Sequence, residues 1–238
     1  MGGIYRWVIY TMQLPTITNK QKEILLHLYR FRFLNRIQIQ SLLNNKGPRN
    51  INVWLKDHTD KNYTSRIFER KAGINEPAIY FIDKNGIKFF SSAEGADKKS
   101  LRKLYQEKRR SQAFIDQCIL IAQIYIKLQD QNLPGFKFYT QSDFPNNGII
   151  RDLQPSFAYV VNDNENIKHY TCEIIKENTP RFAIRSRIEQ FIEFFKDQPD
   201  MTIVFVSQSE KLRQYIEKHA AKVQSSEETE LHIISSLI

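Results

Sequence analysis

The sequence predicts an α+β chain in two parts. The first is a three-helix unit closed by a two-stranded ribbon, and the second is a mixed α/β sheet flanked by helices. Three observations predict this. Apolar residues recur at helical spacing through residues 18–58 and then give way to two short runs rich in β-branched and aromatic residues. From residue 98 onward, helix-like and strand-like segments alternate, the order expected of a mixed sheet. Charge divides the chain near the same place: residues 1–110 hold 22 Lys and Arg against 9 Asp and Glu, whereas residues 111–238 hold 13 against 17.

Composition narrows the function classes. A chain of 238 residues has room for one large domain or two small ones, and its hydrophobic fraction of 41% is that of a globular protein. The formal charge of +9 and pI near 9.4 favour a polyanionic partner. A balance of +13 on the first 110 residues and −4 on the rest puts that partner's footprint in the first half. Cys118 and Cys172 lie far apart in apolar settings without a CxxC partner. That argues against a zinc ribbon or a disulfide scaffold and for two buried thiols in a reducing cytoplasm. The apolar run Ile4–Tyr10 is broken by Arg6 and is too short for a signal or a membrane span. A cytoplasmic location without membrane contact is therefore expected. Residues 1–17 read as a tail, with Met12 as an alternative start because the periodic pattern begins after it.

The first domain is expected over residues 18–92. Thr18 and Gln21 fit a capping box, and Ile24, Leu25, Leu28 and Tyr29 follow at helical spacing. Asn35 and Gln38 open a second helix by the same device, with Ile37, Ile39, Leu42 and Leu43 as its apolar side. The run from Asn44 to Pro48 reads as its stop. A third helix is expected from Arg49 or Asn50 to His58. Ile51, Trp54 and Leu55 face the core, and Arg49, Asn52, Lys56 and Lys61 lie on or just beyond the other side. His58 ends it and is expected to cap the helix or touch phosphate. Tyr63–Phe68 and Ala78–Ile82 read as the two strands, and Glu69–Pro77 between them as a loop carrying Arg70 and Lys71. Asp83–Phe90 reads as a short closing helix.

Helix, helix, turn, helix and ribbon is the layout of a winged helix-turn-helix, a module usually found on duplex DNA. Arg, Asn and Lys are the side chains that meet base edges and phosphates in a major groove. Double-stranded DNA is thus the expected partner, through Arg49, Asn50, Asn52, Lys56 and Lys61 on or after the third helix and Arg66, Arg70 and Lys71 on the wing. An ordinary solvated helix face is the plain alternative.

The second domain is expected over residues 98–238, after a small polar link at 91–97. One long helix is expected from Lys98 to Asp130, strongly basic in its first part and apolar nearly all round in its second. Strands are expected at Phe136–Thr140, once or twice within Ile149–Val161, and at Ile167–Ile175. A helix at Phe182–Lys196, a buried strand at Met201–Val206, a helix at Glu210–Val223 and a strand at Leu231–Ile234 complete it.

The order αβββαβ resembles the core of the PD-(D/E)xK nuclease-like superfamily. The whole chain resembles the replication-relaxation family, plasmid and mobile-element proteins that join an N-terminal winged helix to such a core. The residues that carry this are Asn52–Asp57, Tyr63–Ile67, Pro77–Phe81 and Asn85–Lys88 in the first half, then Leu153–Ser156, Glu173–Thr179 and the helix that follows. The resemblance implies DNA binding in replication, DNA relaxation or their control, with a relaxase or replication protein as a further partner. A homodimer is a further expectation, without a dedicated zipper in the sequence to carry it.

An active enzyme of that superfamily needs an Asp after the Pro, an acid on the next strand, and a Lys two positions on. The acids hold Mg²⁺ and the Lys positions or activates water. Here Ser156 follows Pro155, Ile175 stands two positions after Glu173, and the Lys comes one later, at Lys176. Strand side chains alternate faces, so Lys176 is expected to point away from Glu173. The site is therefore expected to be vestigial, without metal or other cofactor, with Glu173 paired to Arg181 or Arg185. The alternative is an active Mg²⁺-dependent endonuclease in which Asp152 and Glu173 hold the metal and a bulge turns Lys176 inward. A pure protein-interaction module is the third reading. His27, His58, His169, His219 and His232 show no metal-ligand spacing, and nucleotide-binding and nucleophile motifs are missing.

Overall fold

The computed structural model describes residues 14–45, 47–68, 77–93, 97–144, 153–163, 166–196, 201–227 and 232–237. They form an α+β fold with eight α-helices, a small antiparallel sheet and a larger mixed sheet.

Helix α1 (Asn19–Phe31) starts at the capping box expected from Thr18 and Gln21, and α2 (Arg36–Leu42) at the one from Asn35 and Gln38. Between them lies β1 (Leu34–Asn35). Asn44, in the left-handed region at φ 49°, turns the chain after α2. Pro48 does not end the second helix, as the sequence suggested, but opens α3 (Pro48–Asp60). A proline in the first helical turn loses no intrahelical bond, and its fixed φ suits the helix. Strands β2 (Thr64–Ile67) and β3 (Ile79–Ile82) pair antiparallel, and β1 joins the free edge of β3, giving the order β1-β3-β2. The third strand was unreadable because two residues carry no period. Helix α4 (Lys84–Ser91) closes this part, capped by Asp83.

The expected helix from 98 to 130 is two helices. Helix α5 (Lys98–Leu104) ends, a single 3-10 turn follows at Glu107–Arg109, and α6 (Gln112–Asp130) restarts at Ser111, whose hydroxyl accepts from the Phe114 N–H at 3.3 Å. The break lets the Glu107 side chain turn inward to an ion pair with Arg32, which a continuous solvated helix does not allow.

The mixed sheet contains β4 (Lys137–Thr140), β5 (Phe157–Asn162), β6 (Ile167–Ile174), β7 (Met201–Ser207) and β8 (His232–Leu237) in that spatial order. The pairs β4–β5 and β5–β6 are antiparallel, and the pairs β6–β7 and β7–β8 are parallel. Helix α7 (Arg181–Phe195) crosses from β6 to β7 and α8 (Glu210–Glu227) from β7 to β8.

Alternation along the strands supplies two cores. On one face Phe138, Phe157, Cys172, Ile174, Val204 and Val206 pack in one cluster with Ile121 and Ala122 of α6 and with Leu28, Phe31, Leu34 and Ile51 of the first part. On the other, Ile175, Ile203 and Phe205 meet the apolar stripe of α7, Ile184, Ile188, Phe191, Ile192 and Phe195. Both cysteines are buried thiols; burial pushes Cys118 up to about 12 and Cys172 well above the usual thiol value. Polar bonds cross between the two parts as well. Gln38 Nε2 donates to the Ile119 carbonyl at 2.7 Å, Thr140 Oγ1 to the Arg30 carbonyl at 3.1 Å, and the Arg30 guanidinium to the Phe138 carbonyl. Among the described residues no helix is long and apolar enough to cross a membrane.

Candidate nucleic-acid interface and the Ser156–Glu173 cluster

Helix α3 has two unlike sides. Ile51, Leu55 and His58 are fully buried, while Arg49, Asn50, Asn52, Val53 and Lys56 are exposed. Positions 49, 52, 53 and 56 recur at i, i+3, i+4 and i+7, so they form one face. Lys61 stands apart from them. Its Nζ donates to Asp57 and to the Thr16 carbonyl, each at 2.8 Å, and Asp57 also accepts from Gln21 at 2.6 Å. Lys61 thus ties the end of α3 to the start of α1. Arg66 is exposed on β2, opposite Tyr80 in register. Arg70 and Lys71 lie outside the described residues.

His58 is neither a cap nor a surface group. It continues the buried stripe Ile51–Leu55–His58, and neither ring nitrogen has a hydrogen-bond partner. Burial drives its pKa down to about 4, against the opposing pull of Asp57, so the ring is neutral near pH 7. The sequence held this signal, since His58 falls seven residues after Ile51 and three after Leu55.

At the other candidate site, Ser156 and Glu173 come together. The Glu173 Oε2 accepts from both the backbone N–H and the hydroxyl of Ser156, each at 3.0 Å. The same hydroxyl accepts from the Ile174 N–H at 3.0 Å and from Gln117 Nε2 at 3.4 Å, so its bonding capacity is filled. The other carboxylate oxygen, Oε1, pairs with Arg187 Nε at 2.9 Å. Arg187 in turn donates to the Leu153 carbonyl at 2.9 Å, the Gln154 carbonyl at 3.2 Å and Gln190 at 2.7 Å, and lies over the Phe191 ring. The partner expected from the sequence was Arg181 or Arg185; the structure puts Arg187 there. Arg181 instead stacks on Tyr215.

Lys176 does not join this cluster. Its Nζ donates to the Ala113 carbonyl at the start of α6, 2.8 Å away. Glu173 and Ile175 face α7, while Cys172, Ile174 and Lys176 turn to the α6 side, as alternation requires. No bulge turns Lys176 inward. Asp152 lies outside the described residues.

The described residues do not fit Mg²⁺ at Glu173. The carboxylate already holds three donors, one of them a guanidinium, and the neighbouring oxygen is a neutral, fully bonded hydroxyl. A divalent ion prefers several anionic or carbonyl oxygens around it, and binding here requires Arg187 to leave. Gln117 and Arg187, which complete the cluster, escaped sequence reading because they come from α6 and α7, 39 and 31 positions from Ser156 along the chain. Comparison with protein-family models, with curated proteins and with solved structures finds no match to this chain.

Proposed function

We propose that this chain is a duplex-DNA-binding protein whose first part acts as a winged helix-turn-helix and whose second part is a nuclease-like scaffold without cutting chemistry. The observation that carries the reading is the exposed face of α3, where Arg49, Asn52 and Lys56 stand in line opposite a buried stripe. The antiparallel pair β2–β3, with Arg66 exposed on it, supports a wing beside that helix. Phosphate contacts supply affinity and base-edge contacts supply sequence preference.

The order α6, β4, β5, β6, α7, β7 supports the nuclease-like reading of the second part. The occupation of Glu173 by Ser156 and Arg187 supports its loss of activity. The proposed setting is the cytoplasm, in replication or DNA relaxation of a plasmid or mobile element, with a relaxase or replication protein or a second copy of the chain held by the scaffold.

Gel shifts with a short duplex test the first half of this reading. Arg49→Ala and Arg66→Ala should each weaken binding and reduce the log–log salt slope by about 0.9, the release of one phosphate's counterion. Unchanged affinity in both variants removes the proposal. Incubation of supercoiled plasmid with Mg²⁺ or Mn²⁺ tests the second half. Nicking by the wild type that disappears in Glu173→Gln would establish an enzyme instead.

A further inference from the structure

A second basic recess lies away from α3. The end of α1, helix α5 and the loop after β4 enclose a cleft of about 520 Å³, lined by Arg32, Lys99 and Lys103 together with Tyr29, Phe144 and Gln141. We propose that this cleft binds a nucleotide phosphate, the chemistry shared by a free nucleotide and by one unit of a single strand.

The charge balance favours an anion. Arg32 is balanced by Glu107, which leaves Lys99 and Lys103 against one lining acid, Asp97, whose carboxylate is already used to cap α5, accepting from the Lys99 N–H at 2.9 Å and from Ser100 Oγ at 2.6 Å. Lys99 and Lys103 are exposed and enter no ion pair with a described acid. Arg32 is held less ordinarily. Its backbone sits at φ 70°, ψ −51°, with the Phe33 N–H donating to the Phe31 carbonyl at 2.8 Å, a three-residue turn rare for a residue with a side chain. Such strain persists where surrounding contacts impose it, and it concentrates at binding sites. One Nη of Arg32 meets Glu107, while its Nε is buried without a partner.

Size and lining suit a nucleotide. The volume falls in the range of roughly 300–1,000 Å³ typical of small-ligand sites. Tyr29, half-buried and tilted against Phe90 at 4.7 Å, offers a ring for a base, the buried Phe144 lines the floor, and Gln141 offers an amide. The cleft also touches Gln154, whose carbonyl Arg187 holds, so it opens beside the Ser156–Glu173 cluster. It is separate from the duplex face. The end of α3 is tied to Gln21 near the start of α1, about 16 Å of helix away from Arg32.

The test uses the full chain and two labelled probes in fluorescence anisotropy. One is an oligo-dT strand of about eight nucleotides; the other is a short duplex. The double variant Lys99→Gln, Lys103→Gln changes only exposed side chains. It should bind the strand about tenfold more weakly, with a salt slope smaller by about 1.4, and keep the duplex affinity. The pair Arg49→Ala, Lys56→Ala should do the reverse. Displacement of the strand by dTMP assigns the cleft to a single nucleotide, and failure of dTMP to compete assigns it to the strand. Wild-type strand affinity in the lysine double variant overturns the proposal, as does failure of the wild type to bind either the strand or dTMP. Loss of the duplex effect alone overturns only the reading of α3.

Discussion

His58 shows how one ring couples fold and pH. In the unfolded chain it titrates near its ordinary value; in the fold burial holds it down to about 4. Between these values the unfolded state binds a proton that the folded state refuses, so stability rises with pH across that window and is flat above it. The full span corresponds to about 3 kcal/mol lost on acidification from pH 6.5 to 4. Urea unfolding at pH 7 and pH 5 should show the loss, and His58→Leu should flatten it. An equally steep pH dependence in the variant would show that another group is responsible. Glu173 makes a second residue-scale case. In Glu173→Gln the neutral amide keeps one acceptor against donors from Ser156 and Arg187, so stability should fall by about 2 kcal/mol. Arg187→Met in the same chain should recover part of that, measured as a double-mutant cycle. Of this cluster, Ser156 and Glu173 entered through the family resemblance, and the outward turn of Lys176 was legible from strand alternation. Arg187 was not. Arg185 and Arg187 flank the apolar stripe of α7 on sides roughly 160° apart, and only tertiary packing decides which flank meets β6.

At the scale of elements, α4 is fixed by a close approach. A Cβ built on Gly86 would lie 2.5 Å from the Tyr63 carbonyl oxygen and 2.7 Å from Ile82 Cγ2. Around it the Asn85 N–H donates to the Asn62 carbonyl at 3.0 Å and Asn85 Nδ2 to the Lys61 carbonyl at 2.8 Å. Helix propensity favours alanine over glycine by about 1 kcal/mol, but the clash is with backbone and should win. Gly86→Ala is expected to destabilise by about 2 kcal/mol net, read from the midpoint of chemical unfolding; a stabilised variant would show that α4 slides freely. Most elements were legible because their signals are local, the capping boxes at Thr18 and Asn35 above all. The break at residues 105–111 was not. A run of good helix formers conceals it, and the cause is remote, since Arg32 draws Glu107 into the interior. Strand β1 escaped for a related reason: two residues become a strand only because β3 offers them an edge.

For the whole molecule, the shared cluster on the α6 face of the mixed sheet has a thermodynamic consequence. Phe31, Leu34 and Ile51 bury against the same group as Phe138, Phe157 and Val204, so neither part completes that core alone. Unfolding should therefore be a single transition. In a Trp7→Phe variant, Trp54 reports on α3 and far-UV circular dichroism on the whole, and the two denaturation curves should coincide. Separate midpoints would mean that the parts unfold independently.

Under the proposed function, the closed circle of bonds at Glu173 also has a consequence for contact with nucleic acid. A working nuclease centre presents bare acids that repel a phosphodiester until a metal ion bridges the two. Here the Glu173 carboxylate is neutralised from within by the Arg187 guanidinium, so on that proposal the neighbouring surface can lie against a sugar–phosphate chain with no metal between them. On the proposed reading, that internal ion pair leaves a surface suited to holding a strand intact.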